Sequence, residues 1–403
     1  MLRRHIERER QKALHTILAH YGSTYLPHAM MAPSARFGVY ATAKALLSPG
    51  DRVLISPITC HTVIDALLRA GVVPMFANID LASGNIDVGR LSRNELGQAR
   101  AIVTTNLYGN PDAVEDLSRM ARSSNLLLIE DCAHVLHTRV GAKEIGSFGD
   151  VSIFSFKKHF DLPGGVVCVR ETAAAAKLEL CIASESIRPN GQEEILRYSQ
   201  LQLANATGPD FALKVSGLYR NLRFSQSLKE NQETPKASNS VTQAAFIRTL
   251  PTTATLLHMR ANVHHWSANI RERKFTADNL IARCPLRFKG SKLATEVIHL
   301  AVPFTSPKCE VIIAGLRARG VPTYFLYSPP MNRAFRSRVP SNGLDEDRIN
   351  EWYQDILPVL PQHSQQFLEV IEDLAPFDPG HACHGIKDRQ LVASVAKTGS
   401  SIS

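Results

Sequence analysis

The residues with the most chemical content lie between 126 and 169, where the chain reads LLLIEDCAHVLHTRV and then, after a short gap, GSFGDVSIFSFKKHFDLPGGVVCV. An apolar run ending in Glu130-Asp131 delivers a carboxylate to the carboxyl end of a strand. A second run delivers Ser155 and the pair Lys157-Lys158 into a loop that closes with Gly164-Gly165. An acid and an amine on neighbouring strand ends suit a cofactor that needs a covalent amine anchor and a counter-charge for a ring nitrogen, which is what pyridoxal phosphate needs. A lysine serves there because burial and a nearby cation depress its pKa and free the amine to attack an aldehyde carbon. Plainer alternatives stand beside this: most lysines are solvated, and an aspartate after a strand often caps a helix or turn.

The surrounding pattern supplies the elements that would position these groups. Phe37–Leu47 has helical spacing and stops at the turn Ser48-Pro49-Gly50-Asp51. Arg52–Ile55, Val73–Ala77, Ala101–Thr105, Leu126–Ile129 and Val151–Ser155 read as strands, with helices over Thr62–Ala70 and Val114–Ser123. Short apolar strands alternating with amphipathic helices predict βαβ units and an α/β fold with a mostly parallel sheet. Ligands of such sheets sit at the carboxyl ends of the strands. Beyond Arg170 the pattern weakens. The spacing predicts a helix from Val241 through Ala268 broken at Pro251, a strand over Val297–Val302, a helix over Cys309–Arg319 and a turn at Gly320-Val321-Pro322. These divide the chain into an N-terminal segment with a large domain (1–225), a long helix with a smaller α+β domain (226–375), and a flexible tail (376–403).

Composition excludes several classes. The 403 residues are 44% hydrophobic and 21% charged, which is globular composition, and no apolar run is long enough to span a bilayer. The N-terminus mixes Arg with Glu7 and Glu9 and lacks a continuous apolar core, which argues against a secretory signal. Seven dispersed cysteines without a CxxC pair read as reduced thiols of a cytoplasmic protein. No metal site is expected: His258, His264 and His265 lack completing ligands, and His381 and His384 around Cys383 are read as incidental. Gly141, Gly146 and Gly149 form no phosphate-loop fingerprint. The net charge of +9 is spread along the chain, which favours an anionic small substrate or solubility over nucleic acid.

Taken together, these segments resemble the DegT/StrS-type sugar aminotransferases, fold-type I pyridoxal-phosphate enzymes, over about residues 30–365. The matching residues are Ser34-Ala35-Arg36, Pro49-Gly50-Asp51, Ala70-Gly71 with Pro74 and Phe76, Asn85-Ile86-Asp87, Leu107-Tyr108-Gly109 with Pro111, Ile129-Glu130-Asp131 with Ala133-His134, Gly149-Asp150 with Phe154-Ser155-Phe156, and Leu357-Pro358 with Leu360-Pro361. The resemblance implies a large domain with a seven-stranded sheet and a smaller C-terminal domain. It implies that Lys158 is the Schiff-base lysine and that Asp131 pairs with the pyridine nitrogen. Lys157 remains open for the first role, because family members usually carry the lysine five residues after the serine and the loop is shortened here. His134 falls near the cofactor's phenolic oxygen, with a satisfied core histidine as the alternative. Ser34, Ala35 and Arg36 at a helix N-terminus, together with Ser155, suit the phosphate.

Three departures accompany the likeness. The shortened loop is the first. Cys60 and His61 stand where an aromatic ring usually stacks on the pyridine. Lys236-Ala237-Ser238 stands ahead of Gln243-Ala244-Ala245 where an Asn-x-Arg segment is usual. The implied activity is amination of a nucleotide-linked keto-sugar with glutamate or glutamine as amino donor, in a homodimer without membrane or nucleic-acid partners. Two alternatives are a sugar dehydratase, for which His159 is available, and a non-catalytic regulatory relative of the same fold.

Overall fold

The computed structural model describes residues 1–207, 246–290, 293, 295–321, 330–339 and 343–374. The N-terminal part runs α1 (Leu2–Thr24), β1 (His28–Ala32), α2 (Ala35–Leu46), β2 (Arg52–Ile55), α3 (His61–Arg69), β3 (Val73–Phe76), α4 (Arg93–Gln98), β4 (Ala99–Thr104), α5 (Val114–Ser123) and β5 (Leu127–Cys132). A two-stranded hairpin of β6 (Arg139–Val140) and β7 (Lys143–Glu144) follows, then β8 (Val151–Ser155), α6 (Phe156–Phe160), β9 (Gly165–Val169), α7 (Thr172–Glu185) and α8 (Gly191–Thr207). The C-terminal part contains α9 (Thr253–His264), α10 (Trp266–Arg283), β10 (Arg287–Phe288), β11 (Val302–Thr305), α11 (Cys309–Ala318), α12 (Met331–Ala334), α13 (Glu346–Asp355), β12 (Ile356–Val359) and α14 (Ser364–Asp373).

Seven strands form one sheet in the order β1-β9-β8-β5-β4-β2-β3. Neighbours from β8 to β3 are parallel, and β9 runs against both β1 and β8. The central strands are buried on both faces, which is why they read as unbroken apolar runs rather than alternating ones. α2, α3 and α7 cover one face through Phe37, Ile64 and Leu178. α1, α9 and the start of α10 cover the other through Ile17, Tyr21, Leu256 and Trp266. α2 lies close to the sheet because Gly38 has no side chain: a Cβ there would stand 2.8 Å from Val167 Cγ2 and 3.0 Å from Ile153 Cγ2.

A second sheet, β10-β11-β12, is antiparallel and packs with α11, α14 and the end of α10 around Phe304, Ile312 and Phe367. Between the two sheets Trp352 and Ile349 pack with Ile58, Ile79, Leu107 and Tyr108.

Two expected elements need correction. Phe246–Thr252 is not helical. Ile187 donates to the Arg248 carbonyl and accepts from the Leu250 N–H, at 2.8 Å each, which holds this stretch extended until Thr252 caps α9. The strand expected over Val297–Val302 lies instead at Val302–Thr305. Ile298 and Leu300 spend their N–H groups on Thr138 Oγ1 and the Tyr108 carbonyl, so they cannot join the ladder. The expected boundary at 225 and the tail from 376 fall outside the described residues. Among the described residues no helix is long and apolar enough to cross a membrane.

Candidate active site

The expected site residues gather at the carboxyl edge of the large sheet. Cys60 and His61 follow β2, Asp131 is the penultimate residue of β5, Ser155 ends β8, and Ser34-Ala35-Arg36 follow β1. Ser34 caps α2, accepting from the Phe37 N–H at 3.1 Å, which leaves the earlier amides of that first turn for an anion. Gly164-Gly165 passes directly beneath this turn. Gly164 makes a bridge with Ser34 and has φ +117°, and a Cβ on Gly165 would stand 2.4 Å from the Phe154 carbonyl oxygen and 3.0 Å from the Ala35 nitrogen. Gly165 also pairs in register with Ser155. The Gly164-Gly165 backbone thus brings Ser155 next to the start of α2.

The two lysines of α6 face different surroundings. Lys157 is exposed and pairs with Asp161, its side chain 70% accessible. Lys158 is largely covered. Burial lowers its amine from the usual lysine range, partly opposed by Cys60 and Asp131, and Lys157 lowers it further. Asp131 is itself buried, and its carboxyl is pushed up to about 6 by burial, opposed by the Ala133 N–H at 2.9 Å and the charge of Lys158. An acid whose charge is costly beside an amine whose charge is costly is the signature of a site arranged for proton traffic.

Around this pair are further ionisable groups. His61 is held below the usual histidine range by burial, then by Arg36 and Lys158. Arg36 lies within electrostatic range of Cys60 and Asp65. The Cys60 thiol contacts Thr62 Oγ1 at 3.1 Å. His134 is buried and neutral: burial lowers its pKa first, followed by Lys158 and His159. Its Nδ1 accepts from the Tyr108 N–H at 3.1 Å, so its proton belongs on Nε2.

Three features that position the site were missed in the sequence reading. Glu130 turns away from the site, since alternate residues of a strand face opposite ways. Its carboxylate accepts from the N–H groups of Gly146, Phe148 and Gly149 at 2.7–2.8 Å, while Arg170 donates to the Ser147 and Gly149 carbonyls. This clamp fixes the turn that leads into β8. The second feature is the loop after β4, where Asn106 (φ 44°) and Tyr108 (φ 59°) are left-handed. Asn106 Nδ2 donates to the Asp131 carbonyl at 3.2 Å, Asn85 Oδ1 accepts from Leu107, and Asp112 accepts from Ile86 and Thr105. Left-handed backbone at a non-glycine residue has to be held by its surroundings, and these buried amides and carboxylates do so. The Asn85 and Tyr108-Gly109 matches were the signal for it. The third is Arg273 on α10, which donates to the His159 carbonyl and to its Nδ1.

This donor set fits pyridoxal phosphate. It offers amides and a hydroxyl for a phosphate, an acid for a ring nitrogen, a neutral imidazole N–H for a phenolic oxygen, and a covered amine. Among the described residues no group of His, Cys, Asp and Glu could hold a metal ion.

Comparison with known proteins gives a consistent picture. Residues 12–201 match the DegT/DnrJ/EryC1/StrS aminotransferase family. The chain is 32% identical over 133 residues to a GDP-perosamine synthase of Escherichia coli O157:H7, covering 32% of this chain and 36% of that protein. It is 29% identical over 151 residues to a dTDP-4-dehydro-2,6-dideoxy-D-glucose 3-dehydratase of Saccharopolyspora spinosa, covering 37% and 32%. The matches thus span about a third of those relatives' lengths. The fold is shared with the solved structure of DesI in the presence of its TDP-sugar product, with a TM-score of 0.64 at 17% identity over 95% of this chain and 87% of that one.

Proposed function

We propose that this chain, whose residues 12–201 match the DegT/DnrJ/EryC1/StrS aminotransferase family, is a pyridoxal-phosphate-dependent aminotransferase that converts a nucleotide-linked keto-sugar to an amino-sugar, with glutamate or glutamine as amino donor. The observation that carries the reading is the covered Lys158 amine within electrostatic range of the buried Asp131 carboxyl, at a sheet edge that also holds an anion cradle.

Lys158 anchors the cofactor and moves the proton between donor or sugar carbon and cofactor through its Nζ. Burial lowers its pKa from the usual lysine range, which favours the neutral amine more than in a solvated lysine. Asp131 holds a proton on the pyridine nitrogen. When bound, the cofactor acts as an electron sink for the pair released on deprotonation. His134 offers Nε2–H to the phenolic oxygen, and its neutral state follows from accepting the Tyr108 N–H. Ser34, Ala35 and Arg36 bind the phosphate with Ser155. His61 with Cys60 covers the ring face in place of an aromatic. Arg36 adds positive charge beside the phosphate end.

The domain division at 225 and 375, a homodimer and a cytoplasmic location belong to the same proposal. Exposed Ile187 and Ile247 offer apolar surface for a second copy, and the six described cysteines are all free. The dehydratase alternative is less favoured, because the His159 imidazole it would use is buried and engaged by Arg273.

The test is product analysis. The protein loaded with pyridoxal phosphate, glutamate and a nucleotide-linked 4-keto-6-deoxy sugar is expected to release 2-oxoglutarate and an amino-sugar one mass unit heavier than the ketone. A deoxygenated ketone without amine would select the dehydratase, and no turnover across a panel of keto-sugars would select the non-catalytic relative.

A further inference from the structure

The Arg273 guanidinium on α10 reaches across to α6, donating to the His159 carbonyl and, at 3.2 Å, to His159 Nδ1. Burial lowers its pKa from the usual arginine range. A guanidinium taken out of water is retained only where its hydrogen bonds compensate. His159 is 7% exposed. A ring nitrogen that accepts from a guanidinium carries no proton, so the His159 proton sits on Nε2; the backbones of Ala133 and Val135 lie close to the ring. Nε2 makes no close hydrogen bond, so the contact on this side is a loose one and Arg273 provides the firm end.

Two stretches of chain meet at this ring. His159 directly follows Lys158, and Ala133 and Val135 flank His134, two to four residues after Asp131. The element bearing Arg273 is shared between both cores: Trp266 at its start packs in the large-domain core, while Ala277 and Leu280 near its end pack in the smaller one. We propose that Arg273 is a positioning residue: through His159 it fixes the rotation of α6, and so the aim of the Lys158 amine at Asp131, linking that aim to the seating of the smaller domain. This rests on the reading of Lys158 as the anchoring lysine. With Arg273 removed, the His159 side of α6 loses its polar hold and the Lys158 side chain can shift. Phe156 and Phe160 hold the apolar side of α6 in the large core, and Arg273 supplies the polar hold on its His159 side.

The test reads the lysine itself, without cofactor. Cofactor-free protein is labelled with trace acetic anhydride across pH 6–10, and each lysine's labelling midpoint is read by peptide mass spectrometry. In wild type, Lys158 labels with a midpoint below that of Lys157. In Arg273→Met, Lys158 gains water and its midpoint rises by about half a unit, roughly a threefold loss of reactivity near neutrality. The Lys157 midpoint stays in place. Arg273→Lys, which keeps a donor for the His159 carbonyl, shifts less. A Lys158 midpoint unchanged in Arg273→Met, or both lysines moving together, overturns the proposal. If Arg273→Met does not fold by circular dichroism, Arg273→Lys and His159→Leu are read the same way, and unchanged Lys158 labelling in them is equally contrary. Uptake of pyridoxal phosphate by wild type, followed by absorbance, separates the two failures. No uptake defeats the proposed function, whereas uptake with labelling indifferent to Arg273 defeats only this inference.

Discussion

Burial raises the Asp131 carboxyl from 3.8 to about 6, which makes its charge a burden on the cofactor-free protein. The stability that goes with a protonated Asp131 is present below about pH 4 and is lost as pH rises through 6, amounting to about 3 kcal/mol at most. Asp131→Asn removes that charge at constant shape. Cofactor-free Asp131→Asn is therefore expected to melt higher than wild type at pH 8, with the gap closing below pH 5, while its affinity for pyridoxal phosphate falls by about tenfold or more. A variant that melts lower at pH 8 would show that the carboxylate is well paired without cofactor. At this scale the sequence supplied candidate residue types but not their facing. Lys157 and Lys158 are adjacent on a five-residue helix, too short for any periodicity to separate them. Only the fold distinguishes the exposed one, beside Asp161, from the covered one. Glu130 and Asp131 divide more simply, because strand alternation sends one to the turn and the other to the site.

At the scale of elements, the Glu130 clamp and the Gly165 crossing set where α6 and α2 meet. Glu130→Ala leaves three buried N–H groups of the 146–149 turn without an acceptor. Each unmet donor costs about 1–3 kcal/mol, so a loss of about 3 kcal/mol or more is expected in urea unfolding; a loss under about 1 kcal/mol would mean that water replaces the carboxylate. Gly165→Ala forces the Phe154 carbonyl or the α2 turn to shift. It is expected to weaken pyridoxal phosphate binding while leaving most of the stability intact, as measured by cofactor titration and thermal melting in parallel. Local pattern was enough for elements whose backbone bonds are made nearby. Arg52–Ile55, Val114–Ser123 and Val151–Ser155 lie where the apolar spacing places them. It failed where the partner is remote. Phe246–Thr252 is extended because it pairs with Ile187, and 297–301 is kept out of the small sheet by bonds to Thr138 and Tyr108.

At the scale of the whole molecule, a core between the two sheets, reaching Ile356 of β12, joins the parts of the chain. Trp352, 1% exposed, packs against Ile58, Ile79, Leu107 and Tyr108 and lies so close to Gly84 that a Cβ there would meet its ring at 2.5 Å. Truncating a buried tryptophan costs about 3–5 kcal/mol. Trp352→Ala is expected to lower overall stability by that order and to split a single thermal transition into two, as followed by calorimetry. One sharp transition with an unchanged midpoint would show that the two sheets do not depend on this core. The alternation of strands and helices made the large domain's architecture legible. The antiparallel insertion of β9 and the interleaving of Trp352 with the 107–109 loop were not, because both depend on contacts between segments distant in sequence.

The most direct measurement is borohydride reduction of the protein incubated with pyridoxal phosphate, followed by peptide mass mapping. The account predicts a pyridoxyl group on Lys158, absent in Lys158→Ala and retained in Lys157→Ala. A label on Lys157, or none on the peptide spanning 156–170, would contradict it.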